Sequence, residues 1–142
     1  MLDLGCGGGL DALYAAQRVA PHGRVYNCVI NLVPDKDAAL REAHRVLKPG
    51  GRLAIADPVF RGKPAVPAEL RQRLDGWVAC VSGALTESEY VAKLKAAGFT
   101  EITIDTSRDY DAGETACCAD WPRELSIASG HITARKVASA GQ

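Results

Sequence analysis

The sequence predicts an α/β layer fold built on a mainly parallel sheet. Three observations predict it. Short apolar runs of strand character alternate with helical stretches, glycine- and proline-bearing turns separate them, and the 142 residues suit one domain. Met1-Leu2-Asp3-Leu4 reads as the end of a buried strand, Gly5-Cys6-Gly7-Gly8-Gly9 as a tight turn, and Leu10–Val19 as a helix with Leu13, Ala16 and Ala20 on one side. Arg24–Val33 is strand-like through Val25, Tyr26, Val29, Ile30, Leu32 and Val33. A helix over Asp35–Leu47 follows, with Ala39, Leu40, Ala43, Val46 and Leu47 on one side and Asp35 and Asp37 at its positive end. Lys48-Pro49-Gly50-Gly51 stops it, and Arg52–Asp57 is the next strand. Pro58–Val66 reads as a loop. Pro67 opens a helix with the apolar stripe Leu70, Leu74, Trp77, Val78 and Val81. Thr86 and Glu89 form a capping box for a helix from Glu87 to Ala97, which Gly98-Phe99 closes. Thr100–Asp105 alternates like a strand with one solvated face. Arg108–Glu124 is irregular, and His131–Val137 is a possible last strand.

Composition excludes several classes. Hydrophobic residues make up 47% and charged residues 24%, the usage of a folded globule rather than a disordered chain. Seventeen Lys+Arg balance seventeen Asp+Glu, which argues against nucleic acid or an anionic membrane as main partner. No window approaches the roughly 18 apolar residues of a membrane span. The five cysteines are odd in number and form no CxxC pair. With no secretion signal ahead of them, free thiols in a reducing cytoplasm are expected.

The glycine turn carries chemistry. A strand, a glycine-rich turn and a helix N-terminus let backbone N–H groups approach a polar ligand. The spacing Asp3-x-Gly5-x-Gly7-x-Gly9 differs from a dinucleotide G-x-G-x-x-G because a carboxylate ends the strand two residues before the first glycine. Leu2-Asp3-Leu4-Gly5-Cys6-Gly7-Gly8-Gly9 resembles the first motif of class I methyltransferases that use S-adenosylmethionine. Arg45-Val46-Leu47-Lys48-Pro49-Gly50-Gly51-Arg52-Leu53 resembles the segment leading into their fifth strand. More narrowly, Asn27-Cys28-Val29-Ile30-Asn31-Leu32-Val33-Pro34-Asp35-Lys36 is similar to the fourth-strand motif of arsenite methyltransferases. Trp77-Val78-Ala79-Cys80-Val81-Ser82-Gly83-Ala84-Leu85 resembles that family's second cysteine motif. The likeness covers residues 1–106 well and the remainder loosely. The expected layout is a methyltransferase-like core over 1–106 and an irregular segment with a possible last strand over 107–142.

The resemblance implies a class I methyltransferase-like (Rossmann-like) sheet cut to four or five strands, with S-adenosylmethionine as cofactor. Asp3, Gly5, Cys6, Gly7, Gly9 and Asn27 would line it, Cys6 as a small filler of the turn. Cys28 and Cys80 would hold arsenite, or its thiol conjugate, as soft thiolate ligands for a soft centre. On this reading the arsenic lone pair attacks the methyl group in line, with positioning supplying most of the catalysis. A thiol reductant would keep the cysteines free. Without the motifs, Cys28 and Cys80 read as packing residues. Cys117-Cys118 reads as incidental, His22, His44 and His131 as surface residues, and Trp77 and Tyr90 as core.

The chain departs from the family pattern in two places. The family's N-terminal segment, with a further arsenic-site cysteine, has no counterpart before Met1. Between Tyr26 and Asn27 the end of the second strand, the third strand and two helices are missing, where two βαβ units need roughly 60 residues. A ribose-binding acid is expected about 20 residues after the glycines, yet no acid stands between Asp11 and Asp35. Arg24–Val33 is expected as a fused strand in the fourth-strand place, leaving the first strand near an edge. Two further functions remain open: a non-catalytic remnant that captures arsenicals through thiols, and a methyltransferase for another small molecule.

Overall fold

The computed structural model describes residues 29–62, 66–74, 76, 80–110 and 125–138. Within them a 3-10 turn at Ile30–Leu32 is followed by α1 (Lys36–Val46), β1 (Arg52–Phe60), α2 (Ala68–Arg71), β2 (Leu85–Thr86), α3 (Glu87–Ala96), β3 (Phe99–Tyr110) and β4 (Ile127–Lys136). The strands form a sheet in the order β2-β1-β4-β3. β1 pairs with β2 in parallel, while β4 runs antiparallel to both β1 and β3. The α/β class agrees with the sequence; the sheet of the described residues has four strands, one of them (β2) not expected, and is mixed rather than mainly parallel. Its cause is β4, which returns between β1 and β3 and makes both long pairings.

Each element has a local reason. Asp35 caps α1 by accepting the Ala38 N–H at 2.8 Å. At the other end the cation comes from β4: Lys136 Nζ donates to the carbonyls of His44 (2.7 Å) and Leu47 (2.9 Å), whereas Lys48, the expected cation, is exposed. The Thr86–Glu89 capping box forms as read. Glu89 N–H donates to Thr86 Oγ1 at 3.1 Å, and Thr86 N–H to Glu89 Oε2 at 2.7 Å. Gly98 follows α3 at φ +96°, and a Cβ there would meet the His44 imidazole at 3.2 Å, so this turn needs glycine twice over. His44 lies edge-on to Phe99, ring centroids 4.9 Å apart, and is half-buried rather than a surface residue. His131 is also half-buried.

Three segments differ from the sequence reading. Val29–Val33 is not strand: Leu32 N–H donates to Val29 O and Val33 N–H to Ile30 O, both at 3.1 Å. The turn wins because Asn31 is fully buried and must find partners for its polar groups. Arg24–Cys28 and Met1–Leu4, on which the fused-strand expectation also rests, lie outside the described residues. β1 runs on through Pro58 to Phe60 instead of breaking into a loop. Pro58 is tolerated because pairing with β2 begins only at Val59. The helix opened by Pro67 spans only Ala68–Arg71. Ser82 Oγ donates to Leu70 O (2.8 Å) and Arg73 O (3.0 Å), and the chain turns there, leaving Leu74 79% exposed. Trp77 and Val78 lie outside the described residues. Strands β3 and β4 begin or end beyond their expected bounds, at Tyr110 and Ile127.

The main core joins Leu40 and Ala43 of α1, Tyr90 and Leu94 of α3, and Leu53, Ile55, Val59, Phe99, Ile132 and Ala134 of the sheet. A smaller cluster of Phe60, Val81, Ala84, Leu125 and Ile127 closes the Phe60 end of β1. Gly130 lets β4 approach β1 closely, since a Cβ would stand 2.8 Å from Val59 Cγ1.

Candidate functional site

Along β1, buried Leu53, Ile55, Asp57 and Val59 alternate with half-exposed residues, so Asp57 places a carboxylate in an apolar row. A buried carboxylate is costly without hydrogen bonds. It has them. Tyr90 Oη donates to Asp57 Oδ2 at 2.6 Å, and the Asn31 backbone N–H donates to the same oxygen at 3.1 Å. The Asn31 side chain continues outward, Nδ2 donating to Pro58 O at 2.8 Å and to Cys80 O at 3.1 Å. Lys36 Nζ, on the first turn of α1, donates to the carbonyls of Asn31 (3.3 Å) and Val33 (3.0 Å). Burial lowers the Lys36 pKa, and the nearby Asp57 carboxylate opposes that shift only in part.

Cys80 stands in the turn that enters Val81–Leu85, half-buried, at φ +62°. Cys80 is itself a turn residue and not part of the Pro67 helix, which spans only Ala68–Arg71. Val81 and Ser82 N–H both donate to Gly76 O, at 2.8 and 3.0 Å, and fold the chain back. Beside this turn Arg71 Nη1 donates to Ala84 O at 3.1 Å, and its guanidinium lies 3.3 Å from Glu89 Oε1.

Burial alone would raise the Glu89 pKa. The Thr86 N–H, the Arg71 charge and the Thr86 hydroxyl outweigh it and hold the carboxyl below its ordinary 4.5. A carboxyl depressed on folding stabilises above its unfolded pKa and loses that contribution as pH falls through the folded value. Stability should therefore fall as pH drops below about 4.5, and Glu89→Gln should flatten that fall. Urea unfolding of both proteins between pH 3 and 6 checks this, and parallel curves would refute it.

Of the residues that the sequence assigns to a site, the described set contains Cys80. Cys28, Asp3, Gly5, Cys6, Gly7, Gly9 and Asn27 lie outside the described residues, as do Cys117 and Cys118. The structure adds Asn31, Asp57 and Tyr90, which the sequence reading placed in a strand or in the core. Tyr90 is core, at 0% exposure, but its hydroxyl belongs to the network. Asp57 had a signal: like Asp3, it is a carboxylate near the end of an apolar strand.

Comparison with known proteins follows the same lines. A family model described as a methyltransferase domain matches residues 25–98, just over half of the chain. The chain belongs to this methyltransferase-domain family, and several curated proteins that it resembles are arsenite methyltransferases. It is 30% identical to the arsenite methyltransferase of Halobacterium salinarum over 97% of this chain and 46% of that protein. The alignment runs over 188 residues, more than this chain has, so a stretch of the relative has no counterpart within it. Identity is 46% over 77 residues with the arsenite methyltransferase of Aquipseudomonas alcaligenes and 45% over 83 residues with the human one, 22% of each. Among solved structures it resembles the arsenic(III) S-adenosylmethionine methyltransferase of Chlamydomonas reinhardtii, with TM-score 0.56 and 29% identity over 82% of this chain and 37% of that one. The chain thus spans less than half the length of these relatives. Among the described residues no helix is long and apolar enough to cross a membrane.

Proposed function

We propose that this chain transfers a methyl group from S-adenosylmethionine to trivalent arsenic held by the thiolates of Cys28 and Cys80. The observation that carries the reading is the hydrogen bond from Asn31 Nδ2 to Cys80 O across 49 positions of sequence. Asn31 lies three residues after Cys28, a tether of at most about 11 Å. One buried side chain thus ties the segment of the first cysteine motif to the turn of the second. Arsenite or its thiol conjugate is the substrate, and a thiol reductant keeps the cysteines free. Thiolates suit arsenic because it is soft, and holding it through two of them leaves its lone pair as the nucleophile. Asp3 and the glycines at Gly5, Gly7 and Gly9 suit the methionine end of the cofactor, with Cys6 and Asn27 beside them. S-adenosylmethionine supplies a methyl group on a sulfonium sulfur. The work left to the protein is to hold two reactants together and exclude water.

Calorimetric titration with S-adenosylmethionine, followed by a methyl-transfer assay with arsenite and a thiol reductant, tests the reading. Methylated arsenic is the expected product. A chain that binds arsenite and turns nothing over would instead be a non-catalytic remnant, a reading favoured by the lack of any acid between Asp11 and Asp35. A ribose without its acid loses a charge-assisted hydrogen bond, about 1.5–3 kcal/mol. At about 1.4 kcal/mol per decade, affinity for the cofactor should be at least about tenfold weaker than that of the Halobacterium salinarum protein. Equal dissociation constants for the two would sink this expectation.

A further inference from the structure

We infer that Asn31 is a positioning residue for Cys80, holding the backbone of that cysteine in a conformation it would otherwise leave. Two independent observations carry this. The first is φ +62° at Cys80, in the left-handed region where a Cβ crowds the carbonyl oxygen that follows it. Such a conformation persists only where the surroundings over-determine it. The second is the set of bonds around Asn31. The residue is fully buried, and both Nδ2 protons are spent on carbonyl oxygens, one of them that of Cys80. Its Oδ1 lies 3.4 Å from the Tyr90 hydroxyl and its N–H is bound by Asp57. Turning the amide over would set Oδ1 against two carbonyls, so the network fixes its orientation. On the far side of the turn, Gly76 O takes the N–H groups of Val81 and Ser82. The Cys80 backbone is therefore clamped from both sides, and Asn31 is the clamp that also reaches β1. The purpose of the clamp rests on the arsenic reading: a thiol that must meet a second thiol on one atom gains from a fixed backbone.

The test is the rate at which iodoacetamide alkylates Cys80 in the full native chain, resolved from the other cysteines by peptide mass spectrometry. Asn31→Ala should let the turn relax and raise that rate at least fivefold. Tyr90→Phe, which keeps the ring and removes the hydroxyl behind Asn31, should raise it about twofold, and it decides alone if Asn31→Ala does not fold. Phe99→Leu, at the opposite end of the sheet, is the control for general loosening and should leave the rate unchanged. An unchanged or slower rate in the folded Asn31→Ala and Tyr90→Phe variants, or an equal rise in Phe99→Leu, overturns the inference. Arsenite binding is measured on the same samples. Absence of binding in the parent chain would end the arsenic reading and leave the alkylation result standing.

Discussion

Asp57→Ala should cost this protein a large part of its stability. The carboxylate is 1% exposed and receives both the Tyr90 hydroxyl and the Asn31 N–H on Oδ2. Removing it takes the short acceptor from two buried donors, the Asn31 N–H and the Tyr90 hydroxyl, the latter keeping only the longer contact of 3.4 Å to Asn31 Oδ1, at about 1–3 kcal/mol for each. The sum, about 2–6 kcal/mol, approaches the whole stability of a small domain, about 5–15 kcal/mol. Urea unfolding measures it. Adding Tyr90→Phe to Asp57→Ala removes one stranded donor, so the double variant should be less destabilised than the two single losses added together. A stability for Asp57→Ala within about 0.5 kcal/mol of the parent, the usual scatter of surface substitutions, would mean that the network contributes little.

This buried network also marks where the sequence stops being legible. The helices α1 and α3, the capping box, the Gly98 turn and the half-solvated alternation of β3 are local, and each follows from residues two to four positions apart. Asp35 caps α1 as its position suggests, and Thr86 and Glu89 meet as their spacing requires. What escaped was set by partners far along the chain. Val29–Val33 has strand composition, yet Asn31 answers to Asp57, Pro58 and Cys80, between 26 and 49 positions away, and the backbone turns to serve them. The Pro67 helix carries an apolar stripe, yet Ser82 ends it from outside. The last strand was visible as a strand, but its place between β1 and β3 depends on register across the whole sheet.

Replacing either Cys28 or Cys80 by Ser should weaken arsenite binding by a similar, large factor, at least about tenfold. The second As–S bond is effectively intramolecular once the first has formed, and short tethers supply effective concentrations of about millimolar. Replacing both should cost little more than replacing one, because two ligands on one atom act as a unit. Removing Cys117 and Cys118 together should matter less. Titration of arsenite into each folded variant, followed by calorimetry, gives the comparison. Binding that survives in the Cys28→Ser, Cys80→Ser double variant and disappears without Cys117 and Cys118 would show that the adjacent pair does the binding.

The position of β4 has a bearing on how the protein is made. β1 and β3 are not neighbours; β4, the last of the four strands among the described residues, fills the space between them and pairs with both. Its Lys136 also closes the end of α1, 89 positions earlier at the Leu47 carbonyl. A chain emerging from the ribosome can therefore bring α1, β1 and α3 together through Lys93–Asp37 and Tyr90–Asp57, but β1 and β3 have no strand between them until β4 is made. Until then the edges of β1 and β3 that β4 covers are open, the state in which strands seek partners in other molecules. Such a topology places its greatest demand on chaperones in the interval between the making of β3 and the making of β4, when two strand edges wait for one partner.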